Sequence, residues 1–411
     1  MGALWTFGWE WGSALLRWLH VTAAIAWIGG SFFFMHLDAS LRKKAGDDPA
    51  LKGTSWQVHG GGFYEMKKYL LAPAALPEHL IWHKWQSYWT WMSGFALLCW
   101  VYYGQSSLFL IDPAVMPLEP WQAALIGIVA LALGWLVYDF LCRSPLAANE
   151  PLLALVGFGY VVAMSWVFTL FFSGRGALIH TGALMATIMT ANVFFIIMPN
   201  QRKSVAALMA GQKPDPAWGQ SSKIRSTHNN YITLPVLFMM LSSHTPSAFS
   251  SPRAIPAIVT CIIVAGAMVR YFYNVWHLDH DRAPWWAAAA VAVLCAFGVA
   301  ATASPGMRSV MGLAALPTET ARLDEPKAPQ DVVDIVQLRC MMCHAAEPME
   351  EIGEAPKGVL LDTPEHIARF GPAIRQQAVL SHAMPPNNFS QMTDDERRTL
   401  ARWLVVETAQ N

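Results

Sequence analysis

Cys340-Met341-Met342-Cys343-His344 is the stretch around which the rest of this 411-residue chain is organised. Two thiols three positions apart, with an imidazole directly after the second, have the spacing of a c-type haem attachment site. Each cysteine can add to a haem vinyl group, and His344 can reach the iron. The alternative is a zinc or redox Cys-x-x-Cys pair, but no second cysteine pair follows and no thioredoxin-like βαβ pattern surrounds the motif. The stretch therefore predicts a covalently bound haem c.

A second iron ligand is expected from Met384-Pro385-Pro386-Asn387, further along the chain. Met384 carries a thioether on a loop stiffened by two prolines. Ligation by Met and His raises the reduction potential of a haem, which suits an electron acceptor. Met349, Met392 and His382 are rival ligands in the same segment. The sequence predicts His344 and Met384 as the two axial ligands.

The composition places most of the chain in a lipid bilayer. Its residues are 54% hydrophobic and only 14% charged, with 19 Trp and 20 Phe, which is far more apolar than a soluble protein of this length requires. The formal net charge is zero, so no charge excess suggests nucleic acid as a partner. The other cysteines stand singly in or beside apolar runs, as small buried hydrophobic residues do: Cys99, Cys142, Cys261 and Cys295.

Eight apolar runs are long enough to cross a hydrocarbon core of about 30 Å, which takes roughly 20 residues of helix. The spans are predicted near Ala14 to Leu37, Trp85 to Tyr103, Trp121 to Leu141, Leu152 to Phe172, Ala177 to Met198, Tyr231 to Ser243, Ala254 to Trp276 and Trp285 to Ala303.

The Lys and Arg residues of the loops predict the orientation of these spans, because positively charged loops stay on the cytoplasmic side. The loops after the first, third, fifth and seventh spans carry 14 of them, whereas the alternate loops hold only Arg175 and Arg253. Both termini are therefore expected to face outward. That agrees with the compartment in which bacteria attach c-type haems.

The end of the chain is predicted to be a separate domain. From Ser304 to Gln330 the composition changes to Pro, Thr, Glu and Lys without an apolar period, as in a tether. One helix then runs into the cysteine pair, one follows Thr363-Pro364, and the last begins at Thr393 with Glu396 in a capping box. The predicted fold is all-α, with an eight-helix transmembrane bundle (1–303), a periplasmic linker (304–330) and a C-terminal cytochrome c domain (331–411).

Histidines within or beside the spans form two tiers, and ionisable side chains inside a membrane point to function. Two tiers of imidazoles on different helices suit stacked b-type haems, with His20 and His180 as the preferred outer pair. Haem b in the membrane domain is thus a second cofactor hypothesis; hydrogen bonding to neighbouring carbonyls and binding of another metal are its alternatives. The outer tier comprises His20, His180 and His244, and the inner tier His36, His83, His228 and His277.

Two segments on the predicted cytoplasmic side carry groups suited to substrate chemistry. In His59-Gly60-Gly61-Gly62-Phe63-Tyr64, three glycines allow the backbone close to a ligand; the alternative is a flexible turn. In Arg225-Ser226-Thr227-His228-Asn229-Asn230-Tyr231, a guanidinium, two amides and an imidazole can grip a flat anionic heterocycle; the alternative is a helix cap and surface anchor. The candidate catalytic residues are His59, Arg225, His228, Asn229 and Tyr231.

Long sequence blocks spread over essentially the whole chain resemble those of one family. They are Arg17-Trp18-Leu19-His20 with Ala26-Trp27-Ile28-Gly29, the His59 to Tyr64 segment, Trp89-Thr90-Trp91 with Ser93-Gly94-Phe95, Ile111-Asp112-Pro113-Ala114-Val115-Met116, Pro199-Asn200-Gln201-Arg202-Lys203, His228-Asn229-Asn230-Tyr231 with Thr233-Leu234-Pro235, and the haem tail. The family they resemble is the membrane-bound, cytochrome c-linked urate oxidases (urate hydroxylases) of bacterial purine breakdown.

The resemblance implies an inner-membrane oxidoreductase that converts urate to 5-hydroxyisourate without forming hydrogen peroxide. Electrons would pass to the chain's own cytochrome c domain, and then to a soluble cytochrome c or a terminal oxidase. The family's haem ligands map onto Cys340, Cys343, His344 and Met384. An electron-transfer subunit of the b/c type and a purine permease with a haem tail are the alternative functions.

The catalytic roles follow from the chemistry of the candidate residues. His59 or His228 could act as general base, because an unperturbed imidazole titrates near pH 6.5, and Arg225 could hold the urate anion. If urate binds at the cytoplasmic face, a hydrocarbon core of about 30 Å separates it from the haem and a relay is needed. A urate site at the outer face, near His20, His180 and His244, is the competing arrangement.

Overall fold

The structure is a computed structural model that describes residues 2–70, 76–249, 251–278, 282–303, 307, 310, 327–349, 352 and 355–404. Most of the predicted linker and the last residues of the predicted C-terminal domain, 405–411, lie outside these ranges.

The N-terminal part is built mainly from long helices near the predicted spans. They are α1 (Gly2–Ser40), α2 (Trp85–Leu97, continued by a π-helical segment, Leu98–Tyr103), α3 (Ser106–Phe109), α4 (Pro120–Arg143), α5 (Glu150–Thr169), α6 (Gly174–Ala191, continued by a π-helical segment, Asn192–Ile197), α7 (Met198–Met209), α8 (Pro216–Leu241), α9 (Pro246–Phe249), α10 (Ile255–Leu278) and α11 (Trp285–Ala303).

Five helical segments in the described ranges are long and apolar enough to cross a membrane. The chain therefore has the make-up of a membrane protein, and the count of eight spans stays a prediction. The five are Gly8–Ser40, Pro120–Arg143, Glu150–Thr169, Gly174–Met209 and Pro252–Trp276.

The sixth predicted span begins earlier than expected. The helix starts at Pro216, where Asp215 accepts a hydrogen bond from the Ala217 amide and proline occupies the first turn. Its N-terminal half is too polar to show an apolar period, so the sequence indicated only the half from Tyr231 onward. Residues 225–231 therefore lie on a helix and not in a loop.

A two-stranded β-hairpin corrects the all-α prediction. Strand β1 (Leu51–His59) pairs antiparallel with β2 (Gly62–Tyr69). The two residues between the strands, Gly60 and Gly61, have φ angles of +59° and +80°, and a two-residue hairpin turn with positive φ at both positions favours glycine. The two glycines therefore adopt the backbone conformation that the turn requires. Lys68 ties the hairpin to α1 by donating to the Asp38 carboxylate at 2.6 Å.

Helix α6 is the centre of the bundle, and most of its residues are buried. It packs against α2, α4, α5 and α8, and small residues let these helices approach closely. A Cβ added at Gly182 would lie 2.7 Å from Met239 Cβ, and one added at Gly134 would lie 2.2 Å from Leu184 Cδ1. The outward faces of other helices are apolar, as with Trp18, which is 71% exposed. Such a surface suits contact with lipid.

The C-terminal part forms a small helical unit with its own apolar core, which includes Val332, Ile367 and Leu400. The helix starts agree with prediction. Thr363 caps the helix that follows it, and Thr393 and Glu396 form both hydrogen bonds of a capping box. The helices are α12 (Gln330–Arg339), α13 (Met341–His344), α14 (Pro364–Arg369), α15 (Gly371–Ile374, continued by a π-helical segment, Arg375–Leu380) and α16 (Asp394–Trp403).

Candidate functional site

A cavity of about 560 Å³ lies between α1, α2, α7 and α8, a volume typical of small-molecule sites. It sits at the end of the bundle that carries the Lys- and Arg-rich loops. Aromatic rings, neutral polar groups and the ion pair of Asp38 with Lys68 share its wall, a lining that suits a flat polar molecule. The lining includes Trp27, Phe34, Trp82, His83, Gln86, Gln201, Ser226, Asn229, Asn230 and Thr233.

Helix α8 contributes one face to this cavity. Ser226, Asn229, Asn230 and Thr233 recur at the three- and four-residue spacing that puts side chains on the same side of a helix. Asn229 was predicted as a site residue and Asn230 was the second amide of the predicted segment, whereas no role was predicted for Ser226 or Thr233. The three- and four-residue spacing of all four residues would have indicated a shared helix face if the segment had been treated as a helix.

Arg225 lies beside the cavity in a buried polar network. Its Nη2 donates to Asp139 Oδ1 at 2.6 Å, and its Nη1 donates to Asn192 Oδ1 at 3.1 Å. Asn192 in turn donates to Asn229 Oδ1 at 3.0 Å, and Asn229 donates to the Met189 carbonyl. Arg225 is 2% exposed. The Asp139 carboxylate compensates its buried positive charge. Arg225 thus bonds to protein groups, and it is not among the residues that line the cavity.

Of the other predicted catalytic residues, His228 joins this network through Tyr138, whose hydroxyl accepts a hydrogen bond from Asn192 at 3.2 Å, whereas His59 and Tyr231 have no hydrogen bond to it among the described contacts. His228 shares a hydrogen bond of 2.8 Å with the Tyr138 hydroxyl, and Tyr231 is half-buried on α8. His59 is exposed at the end of β1, and it is not among the residues that line the cavity. The imidazole that does line it is His83, whose ring packs edge-on against Phe34 at a centroid distance of 4.9 Å.

The predicted haem b pair has unequal geometry. His20 Nδ1 lies 3.0 Å from the Thr90 carbonyl oxygen. The His20 ring also packs against Gly94, where an added Cβ would come within 2.8 Å of the imidazole. His180 is fully buried; its Nδ1 lies 2.9 Å from the Gly176 carbonyl and its Nε2 lies 3.1 Å from the Tyr103 hydroxyl. With both ring nitrogens engaged, the surroundings of His180 do not fit an axial ligand.

The residues of the C-terminal unit do fit a haem c. His344 Nδ1 lies 2.9 Å from the Val359 carbonyl, an arrangement that orients the ring and leaves Nε2 for a metal. Cys340 and Met384 both pack against the apolar core, whereas the rival ligand Met392 is 3% exposed inside it.

Further features of this unit agree with such a cofactor. Asn387 Nδ2 and Arg375 Nε are buried without a hydrogen-bond partner, and buried donors of this kind suit an acidic group at the rim of a cofactor. Burial raises the pKa of the Cys340 thiol to about 12 and also raises that of Cys343. Both thiols are therefore protonated at neutral pH. Among the described residues, no group of three or more His, Cys, Asp or Glu side chains could hold a metal ion.

The C-terminal unit touches the bundle through the segment that carries Met384. The turn Pro386–Asn388 packs against α3. Arg397 is buried beneath this segment, where its Nη1 donates to the Met384 carbonyl at 3.0 Å and its Nη2 donates to Asn388 Oδ1 at 3.3 Å. Burial raises the pKa of Asp112, which follows α3, while the positive charge of Arg397 opposes that shift.

The chain is thus mostly helical, with five helices apolar enough to cross a membrane and a cavity of small-molecule size among the described helices. The comparison with protein families is more specific. The model of the urate oxidase N-terminal family matches residues 6–302, and the chain belongs to that family. Searches of curated proteins and of solved structures found no match. Family membership indicates a urate-related activity. The matched range includes every helix that lines the cavity.

Proposed function

We propose that the protein oxidises urate to 5-hydroxyisourate in the cavity between α1, α2, α7 and α8, and passes the electrons to a haem c in the C-terminal unit. The observation that carries this proposal is the family match, which spans the whole helical bundle and therefore the cavity. The volume of about 560 Å³ is ample for one purine.

The reaction balances with water as the source of oxygen. Urate and one water molecule give 5-hydroxyisourate, two protons and two electrons. Trp27, Phe34 and Trp82 offer flat apolar faces on which the ring system can stack, and Asn229 and Asn230 offer amides for its carbonyl and N–H groups. His83 is the imidazole in the lining, and we assign it the proton from the urate N–H group.

Haem c, when bound, supplies a one-electron acceptor. Cys340 and Cys343 would hold it covalently, and His344 and Met384 would ligate the iron. The packing of Pro386–Asn388 on α3 supports electron exit at this contact, because it brings the Met384 segment to the bundle.

The cavity and the α3 contact lie at opposite ends of α2 and its π-helical extension. These run from Trp85 to Tyr103, a length on the order of 25 Å. Electrons therefore need a carrier between the two ends. A haem b ligated by His180 is not proposed as this carrier, because both nitrogens of that imidazole take part in hydrogen bonds.

Product analysis tests the proposal. Purified full-length protein, loaded with haem c and supplied with urate in H₂¹⁸O and an excess of oxidised cytochrome c, should release ¹⁸O-labelled 5-hydroxyisourate and two reduced cytochromes per urate, without hydrogen peroxide. Stoichiometric peroxide would contradict the electron route. Reduction by quinol without urate turnover would favour an electron-transfer subunit, and urate uptake into vesicles without oxidation would favour a permease.

A further inference from the structure

Two arginines are buried among the described residues of the bundle, and only one of them has a carboxylate partner within that part of the chain. Arg225 pairs with Asp139, as described above. Arg270, on α10, is 1% exposed. Its hydrogen-bond acceptors are neutral: Nε donates to Asn230 Oδ1, and Nη2 lies 3.3 Å from Ser31 Oγ and 2.6 Å from Met35 Sδ. No carboxylate of the described residues lies within ion-pair distance of Arg270.

The Arg270 guanidinium is also left with an unused donor. Its Nη1 is buried without a hydrogen-bond partner. Its plane packs on the Phe32 ring, 3.8 Å from the ring centroid, which fixes the direction of its N–H groups. Burying a cation is strongly unfavourable unless an anion compensates it. The surroundings of Arg270 therefore call for an anion that the described residues do not supply.

The neighbours of Arg270 show where that anion would sit. Arg270 itself is not among the residues that line the cavity. Ser31, Met35 and Asn230 contact its guanidinium, and all three line the cavity. Asn230 Nδ2 and Arg270 Nη2 both point at the Met35 thioether, which is a weak acceptor. The unused Nη1 of Arg270, buried next to residues of the cavity wall, is a donor that an anionic oxygen or nitrogen of a ligand would satisfy.

We propose that Arg270, with Asn230 beside it, recognises the anionic edge of a planar heterocycle in this cavity. The proposal rests on the proposed function, under which the heterocycle is the urate monoanion. It moves substrate recognition from Arg225 to an arginine on another helix. A guanidinium is suited to this role because its planar fork can donate two parallel hydrogen bonds to adjacent acceptors.

Equilibrium binding to the oxidised full-length protein in detergent tests this assignment, with radiolabelled urate and radiolabelled hypoxanthine, a neutral purine, as probes. Arg270→Gln should weaken urate binding about 10- to 100-fold, the loss expected for charge-assisted hydrogen bonds, and change hypoxanthine binding less than about threefold. Arg270→Lys should recover part of the urate affinity, because it restores the charge without the fork. Arg253→Gln, an exposed arginine at the other end of the bundle, should bind both probes as wild type does.

A second variant guards against loss of folding. Asn230→Asp places a carboxylate against Arg270, so this variant should fold at least as well as wild type. The new carboxylate should occupy the anion site and exclude urate. Wild-type urate affinity in Asn230→Asp or in Arg270→Gln would overturn the Arg270 assignment alone. Equal weakening of urate and hypoxanthine in Arg270→Gln would also overturn it, by indicating a merely structural role. Wild-type protein that binds no urate would overturn the proposed function itself.

Discussion

The pair formed by Arg225 and Asp139 offers a sharp test of which arginine is structural. The side chains are 2% and 12% exposed, and the Nη2 to Oδ1 distance is 2.6 Å. Removing one partner of such a pair leaves an uncompensated buried charge and destabilises a protein by about 3–5 kcal/mol. Asp139→Leu should therefore remove a large part of a total stability that is typically about 5–15 kcal/mol.

The double variant separates the buried charge from the lost contact. In Asp139→Leu/Arg225→Met both charges are gone, so the free energy of unfolding should recover by at least about 2 kcal/mol relative to Asp139→Leu alone. Thermal unfolding of the purified protein in detergent measures this, with Arg143→Met as control. Arg143 also bonds to Asp139, but its side chain is 65% exposed, so its loss should matter little.

The same variants test the reassignment of substrate recognition. If Arg225 is structural, the folded double variant should bind urate within about threefold of wild type. A double variant that is no more stable than Asp139→Leu, or that is fully stable but fails to bind urate, would contradict a purely structural role for Arg225.

Three further predictions concern the other parts of the molecule. Met384→Ala should lower the reduction potential while leaving the haem covalently attached, as redox titration and denaturing gels stained for haem can show, and an unchanged potential would place the axial ligand elsewhere. Gly127→Ala should destabilise the bundle by about 1–3 kcal/mol, because the new Cβ would come within 2.7 Å of His180 Nε2; a wild-type melting temperature would contradict this packing. Burial opposes ionisation of Glu396, yet bonds from Arg339 and the Thr393 amide lower its pKa below the ordinary 4.5. Glu396 thus stabilises the C-terminal unit fully above about pH 4.5 and loses this effect as pH falls through the lowered pKa. Glu396→Gln should therefore cost about 1 kcal/mol at pH 7 and much less at pH 3, and an equal loss at both would contradict this.

Local signals in the sequence were sufficient for much of the fold. Long apolar runs located the helices of the bundle, and caps such as Thr363 and the Thr393 capping box located helix starts in the C-terminal unit. The hairpin was missed because Gly60 and Gly61 suggested ligand binding. Strand β1 also lacks an apolar alternation, since Ser55 is buried whereas Trp56 and Val58 are exposed.

The candidate site was harder to predict because it depends on contacts between distant segments. Whether a buried arginine has a partner cannot be read from its neighbours in sequence. Arg225 meets Asp139 on α4, whereas Arg270 meets Asn230 on α8 and Ser31 on α1. The sequence singled out Arg225 because amides and an imidazole surround it locally. Of these two buried arginines, Arg270 is the one that has no carboxylate partner among the described residues.

The central claim is that urate gives its electrons to an iron porphyrin held by the C-terminal unit, and anaerobic mixing tests it most directly. Oxidised, purified protein is mixed with urate in the absence of oxygen and of any added acceptor, and the visible absorption of the haem is followed. The reduced c-type α band should appear in wild type, more slowly in Arg270→Gln at limiting urate, and at the wild-type rate in Arg253→Gln. A haem spectrum that stays oxidised in wild type, in protein shown to bind urate, would contradict it.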